Sequence, residues 1–114
     1  MKKEISWLKN SIAIREARKC GQAHADRLMI IISKPNQLGH SRFAVIASRS
    51  VGSAVERNRC KRILRACVHQ NLADYKPGFD ILYIARKPLL QAAHTQVLSS
   101  FGQLNRDAEV VIYV

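Results

Sequence analysis

Along this chain the spacing of apolar positions switches repeatedly between helical and extended periods, and each switch marks an element boundary. LKNSIAIREARKC (8–20) predicts a short helix, capped by Asn10 or Ser11 and stopped by Gly21 at positive φ. RLMIIIS (27–33) is a nearly continuous apolar run rich in Ile and predicts a buried strand. KPNQLGH (34–40) carries Pro, Asn and Gly, and predicts a loop or hairpin connection into SRFAVIAS (41–48), a second strand antiparallel to the first. Ser53 followed by Glu56 is the capping-box pattern; it starts a helix near Ala54 that runs to about Asp74, ahead of Pro77 and Gly78. FDILYIA (79–85) predicts a third strand, and PLLQAAHTQVLSSFGQL (88–104) a helix opening on Pro88. EVVIYV (109–114) reads as a terminal strand or an apolar tail. Without an internal repeat or a flexible linker, residues 1–114 read as one domain of mixed helix and strand.

The helix after Ser53 changes the picture most. At 100° per residue, Cys60, Ile63, Leu64, Cys67 and Asn71 share one sector, while Arg57, Asn58, Lys61, Arg62 and Arg65 take the opposing one, with Arg59 at its edge. A solvated helix face ordinarily mixes signs, because like charges at i,i+4 destabilise by ~0.2–0.5 kcal/mol. Here Arg57–Lys61 and Lys61–Arg65 are both like-charge pairs, and no acid lies between Arg57 and His69. Such a row calls for an anionic partner. Arginine's planar fork matches phosphate with two hydrogen bonds, and Asn58 adds an uncharged group able to reach a 2′-hydroxyl or a base edge.

Composition sharpens this. Nineteen Lys and Arg stand against eight Asp and Glu, a net charge of +11. Residues 1–73 carry fifteen basic and four acidic side chains; the rest of the chain balances at four of each. The excess therefore sits on the first two thirds, which places nucleic acid ahead of an anionic membrane surface as the partner. No run approaches the ~18 apolar residues of a membrane span, and the N-terminus has no apolar stretch of the kind a secretory signal needs. Cys20, Cys60 and Cys67 lack CxxC spacing and read as reduced thiols of a cytoplasmic protein, two of them in the core. His24, His40, His69 and His94 are scattered, the acids fall mostly at element ends, and no nucleotide-loop, HExxH or nucleophile motif is present. Neither a protein-borne catalytic group nor a protein-borne metal site is expected.

The stretch RSVGSAVERNRCKRILRA (49–66) resembles the signature of the protein component of bacterial ribonuclease P, through Arg49, Val51, Gly52, Ala54, Val55, Arg57, Asn58, Arg59, Lys61, Arg62, Leu64 and Arg65. PGFDILYIARKPL (77–89) resembles the usual continuation, and the order of elements before the signature is similar too. The resemblance implies an α+β sandwich whose small mixed sheet is joined to the R-N-R helix by a left-handed βαβ crossover. It implies a protein that binds a catalytic RNA subunit, one protein per RNA, and assists endonucleolytic removal of the 5′ leader from precursor tRNA to leave a 5′-phosphomonoester. The chemistry and its Mg2+ would then belong to the RNA. Arg49, Arg57, Asn58, Arg59, Lys61, Arg62 and Arg65 would hold RNA. A cleft beside the first helix would take the leader, lined by Ile14, Arg18, Ile31 and Phe43; Ile14 and Arg18 stand where the family usually has aromatics. The alternatives from the residues alone are a ribosomal or general structured-RNA-binding protein, a DNA-binding domain, and a self-sufficient nuclease.

Overall fold

A computed structural model of the protein describes residues 4–112. The first helix, α1 (Ser11–Cys20), begins where the Asn10 side chain accepts the backbone N–H groups of Ile12 and Ala13. Gly21 ends it, but not at positive φ: the residue is extended, at φ −76° and ψ 167°. Glycine is required there for closeness instead. A Cβ would lie 2.5 Å from the Ala17 carbonyl oxygen, 2.6 Å from Ile32 Cγ2 and 2.9 Å from the Ser33 carbonyl oxygen, so α1 ends pressed directly onto the sheet.

Four strands follow: β1 (Gln22–Ala25), β2 (Met29–Pro35), β3 (Arg42–Ile46) and, after the helix α2 (Ala54–Gln70), β4 (Phe79–Ala85). They form one sheet in the order β1-β2-β4-β3. β1 was not expected from the sequence; QAHA is small, polar and mostly exposed, and becomes a strand by pairing antiparallel with β2. The expected antiparallel neighbour relation of the 27–33 and 41–48 strands is corrected. β4 lies between them, antiparallel to β2 and parallel to β3. The loop after β2 is therefore a crossing and not a hairpin, tied to β4 by Asn36 N–H to Gly78 O and by the Ser41 hydroxyl, which accepts from the Phe79 N–H. The outer side of β3 is occupied by the N-terminal segment, with hydrogen bonds from Leu8 to Phe43 and from Phe43 to Ser6.

Alternation assigns each strand residue to one of two layers. Met29, Ile31, Phe43, Ile81, Tyr83 and Ala85 face a large core closed by α2 and by α3 (His94–Asp107). Ile32, Ala44, Leu82 and Ile84 face Leu8 and Ala17 on the other side, under α1. The C-terminal helix starts later than expected: Pro88 opens a 3-10 turn, Lys87–Gln91, and α3 begins only at His94, where the Gln96 side chain accepts from the Ala93 N–H. α2 likewise stops at Asn71, whose side-chain amide donates to the Cys67 carbonyl, and a 3-10 turn covers Leu72–Asp74. Of the C-terminal apolar run, Val110 and Val111 are buried and Val111 bridges to Tyr75; residues 113–114 lie outside the described residues.

Two polar fixtures set the sheet. Arg42 and Asp80 face each other in register and form a two-pronged ion pair at 2.8 and 2.7 Å, with the Asn36 amide 3.0 Å from the same carboxylate. Burial pushes the Asp80 carboxyl up, but the hydrogen bonds from Arg42 and Asn36 outweigh it and hold it below the usual range. Deep in the helical core, the Tyr83 hydroxyl donates to Asn105 and meets the Tyr75 hydroxyl, and burial carries its pKa far up.

Two outcomes are expected. Gly21→Ala should lower unfolding free energy by about 1–3 kcal/mol, measured by urea titration, because its methyl group meets backbone that cannot retreat. Asp80→Asn should cost roughly 2–3 kcal/mol at neutral pH, less than a wholly buried pair because the Arg42 side chain stays 29% exposed. The Asp80 contribution is complete above the ordinary carboxylate pKa of about 4 and is lost as pH falls through the lowered one. The variant should therefore lose less stability than the parent chain between about pH 5 and pH 2.

Candidate RNA interface

The approach to α2 explains why its basic residues stand in a fixed row. Val51 is buried and anchors the 3-10 turn Arg49–Val51, which leaves Arg49 exposed at the entry. Gly52 then turns the chain at φ 150°, a region that favours glycine, and a Cβ there would collide with the Glu56 carboxylate at 2.5 Å. That carboxylate folds back to accept the Ser53 N–H at 3.0 Å, while the Ser53 hydroxyl accepts from Glu56 N–H. The capping box expected from the sequence is present. Hydrogen bonds from Ser53 lower the Glu56 pKa. The acid of α2 is thus engaged in capping its own helix.

Cys60, Leu64, Cys67 and Val68 are the buried residues of α2, and they seat it on β3 and β4. Burial pushes the Cys67 thiol up to about 11 and raises Cys60 as well, so both behave as core groups, while Cys20 is exposed. Asn58, Arg59, Arg62 and Arg65 are exposed. Arg57 and Lys61 are half-buried. The expected division is corrected in this respect: Arg57 and Lys61 flank the packed sector, and Arg59 is fully presented. Among the described residues, Arg42–Asp80 is the ion pair found within 4 Å, and none joins an α2 cation to an acid. The guanidinium of Arg65 lies 6.0 Å from the centre of the Trp7 ring, which also meets His69 edge-on at 6.2 Å. Trp7 thereby ties the N-terminal segment to the outer end of the basic row.

The expected leader-cleft residues do not come together. Ile14 is half-buried and Arg18 exposed on α1, next to the smaller core. Ile31 and Phe43 point through the opposite face of the sheet, 0% and 2% exposed, against the α2–α3 layer. Ile31 pairs with Tyr83 across the ladder, and a one-residue offset sends a strand side chain to the other face. The residues that accompany Ile14 on the α1 face are Ile30 and Ile46, both half-buried. Strict alternation from the buried Ile32 and Ala44 is the signal that finds them. Among the described residues no group of three His, Cys, Asp or Glu side chains is placed to hold a metal ion, and no helix is long and apolar enough to cross a membrane.

Comparison with known proteins matches this arrangement. A family model described as Ribonuclease P fits residues 1–109. The ribonuclease P protein component of Pelotomaculum thermopropionicum is 33% identical over 90 residues, 79% of this chain and 80% of that protein. That of Clostridioides difficile is 29% identical over 106 residues, 92% of this chain and 93% of its own. Among solved structures, the RNase P protein of Staphylococcus aureus superposes with a TM-score of 0.84 at 24% identity, covering 96% of this chain and 100% of that one. The Thermotoga maritima protein gives 0.74 at 25% identity, covering 91% and 97%. Since the match runs almost from end to end and takes in the whole basic helix, the chain belongs to the ribonuclease P protein family.

Proposed function

We propose that the chain is the protein subunit of a ribonuclease P ribonucleoprotein, which removes the 5′ leader of precursor tRNA. In this reading α2 docks on a catalytic RNA, one protein per RNA, and the α1 face of the sheet receives the leader. Bond cleavage and the Mg2+ it uses reside in the RNA. The protein's part is to hold two RNA strands in fixed relation, in the cytoplasm. The observation that carries the reading is the row of α2 cations that, among the described residues, form no ion pair with an acid, on a helix closed by a capping box.

The chemistry follows from that row. Arg62 and Arg65 are exposed on a helix whose other side is locked into the core, Arg65 with its guanidinium near the Trp7 ring, so both forks are within reach of phosphate. Asn58 lies between them and the helix start and supplies hydrogen bonds to a ribose or base edge. On the α1 face, Ile14, Ile30 and Ile46 offer apolar contact to unstacked bases, and the exposed Arg18 stands one helical turn after Ile14 on α1. These aliphatic groups grip less than an aromatic platform, where each stacked base is worth ~1–3 kcal/mol.

If about six phosphates are neutralised, the log–log salt slope for RNA binding is roughly −4 to −5. Changing Arg62 and Arg65 together to Ala should flatten it by about 1.4–1.8, with the thermal midpoint little changed. Cleavage of precursor tRNA at low Mg2+, by the chain's own ribonuclease P RNA with and without the protein, tests the processing role directly. RNA binding without any stimulation would leave a general RNA-binding protein. Cleavage by the protein alone would assign the chemistry to the chain.

The leader surface makes a separate claim. Ile14→Ser with Ile46→Ser should raise KM about tenfold for precursors with long leaders. Precursors with a one-nucleotide leader should be affected less than about twofold.

A further inference from the structure

We propose that the RNA footprint continues off α2 into a second phosphate-binding hollow, built by Arg59, Lys87 and Arg27. The proposal rests on the RNA-binding reading of α2 and extends it to two residues outside the signature helix. The three cations come from separate parts of the chain: the turn between β1 and β2, the flank of α2, and the 3-10 turn after β4. They line one hollow together with Glu56 and the turn residues Pro88 and Gln91. All three are exposed, and among the described residues none pairs with an acid within 4 Å. Glu56, held by Ser53 in the helix cap, keeps its negative charge and is close enough to Lys87 to feel it, so three cations against one carboxylate leave the hollow net positive.

The hollow is preorganised. Asp26, next to Arg27, accepts the N–H groups of Leu28 and Met29 at 2.8 and 3.1 Å and a hydrogen bond from the Ser100 hydroxyl. Arg86 adds a hydrogen bond from its guanidinium to the Asp26 carbonyl at 2.9 Å and another from its N–H to the Leu28 carbonyl at 3.0 Å. The turn bearing Arg27 is therefore fastened to β4 and α3. The backbone turn that carries Lys87 is anchored in turn by the buried Leu89 two residues on. The hollow, about 460 Å³ and open to solvent, has room for a phosphate group.

Position decides which RNA. Arg59 also lines a neighbouring hollow with Arg62 and His94, so it joins the α2 cations to the hollow that holds Lys87 and Arg27. The Ile14–Ile30–Ile46 surface belongs to the opposite layer. The hollow therefore continues the strand bound on α2, the catalytic RNA, and not the leader.

The test measures the salt dependence of binding by full-length protein to its own in vitro transcribed ribonuclease P RNA, and separately to precursor tRNA. Arg27→Gln with Lys87→Gln should flatten the slope for ribonuclease P RNA by about 1.4–1.8, two contacts' worth, leaving that for precursor tRNA unchanged. Lys87 should also be protected from acetylation in the complex of the unsubstituted protein, a readout that does not depend on the variant folding. An unchanged slope with an unprotected Lys87, while Arg62→Ala with Arg65→Ala still flattens it, would overturn the hollow and spare the α2 reading. No effect from either pair would overturn both. A change confined to precursor tRNA would overturn the assignment to the catalytic RNA.

Discussion

β4 is buried on both faces, and the rest of the structure is arranged by that. Ile81, Tyr83 and Ala85 go to the helical layer while Leu82 and Ile84 go to the layer under α1. A strand apolar on both sides needs cover on both, which is why FDILYIA shows no polar alternation beyond Asp80. Because β4 pairs parallel with β3, the connection between them must cross the sheet, and α2 is that crossing. Its packed stripe has one place to rest. The remaining surface of the helix, with Asn58, Arg59, Arg62 and Arg65, is turned to water as a consequence.

Rigidity and charge therefore arise from the same constraint. The capping box ties Glu56 at the start of α2, Asn71 closes its end, and buried cysteines and leucine hold its inner side. A flexible basic segment would lose conformational freedom on binding RNA, at a cost of ~1–2 kcal/mol per ordered backbone residue. This helix has met that cost during folding. The unfavourable closeness of its cations is offset by the stability of the core beneath, and in the proposed reading would be relieved by RNA phosphate. Arg42, by contrast, is spent inside the fold on Asp80; a basic residue one strand away from α2 is structural, and its register partner makes it so.

The two sides of the sheet divide the labour. The α2–α3 layer presents charge, in a band that reaches the turns bearing Arg27 and Lys87. The α1 layer presents half-buried isoleucines around a small core. One surface suits a folded, densely charged RNA backbone and the other suits unstacked bases. In the proposed reading, the protein would contribute to cleavage by keeping those two surfaces at a set separation.

Much of this was legible in the residues. Ser53 and Glu56 placed the start of α2, the run from Arg57 to Arg65 announced an anionic partner, and FDILYIA marked β4 over its full length. These features are local, written in helix-capping chemistry, charge spacing and apolar runs, and a linear sequence carries them. Four things were settled only by long-range packing. Strand order was one, since 41–48 pairs as well with either of two apolar strands until α2 returns the chain parallel. The face taken by Ile31 and Phe43 was another, because an unbroken apolar run hides its parity until a partner strand fixes the register. The reason for Gly21 was a third, a close approach to β2 in place of a turn. The last is the meeting of Arg27, Arg59 and Lys87, cations distant in sequence that only the closing of the sheet and its crossings brings to one hollow.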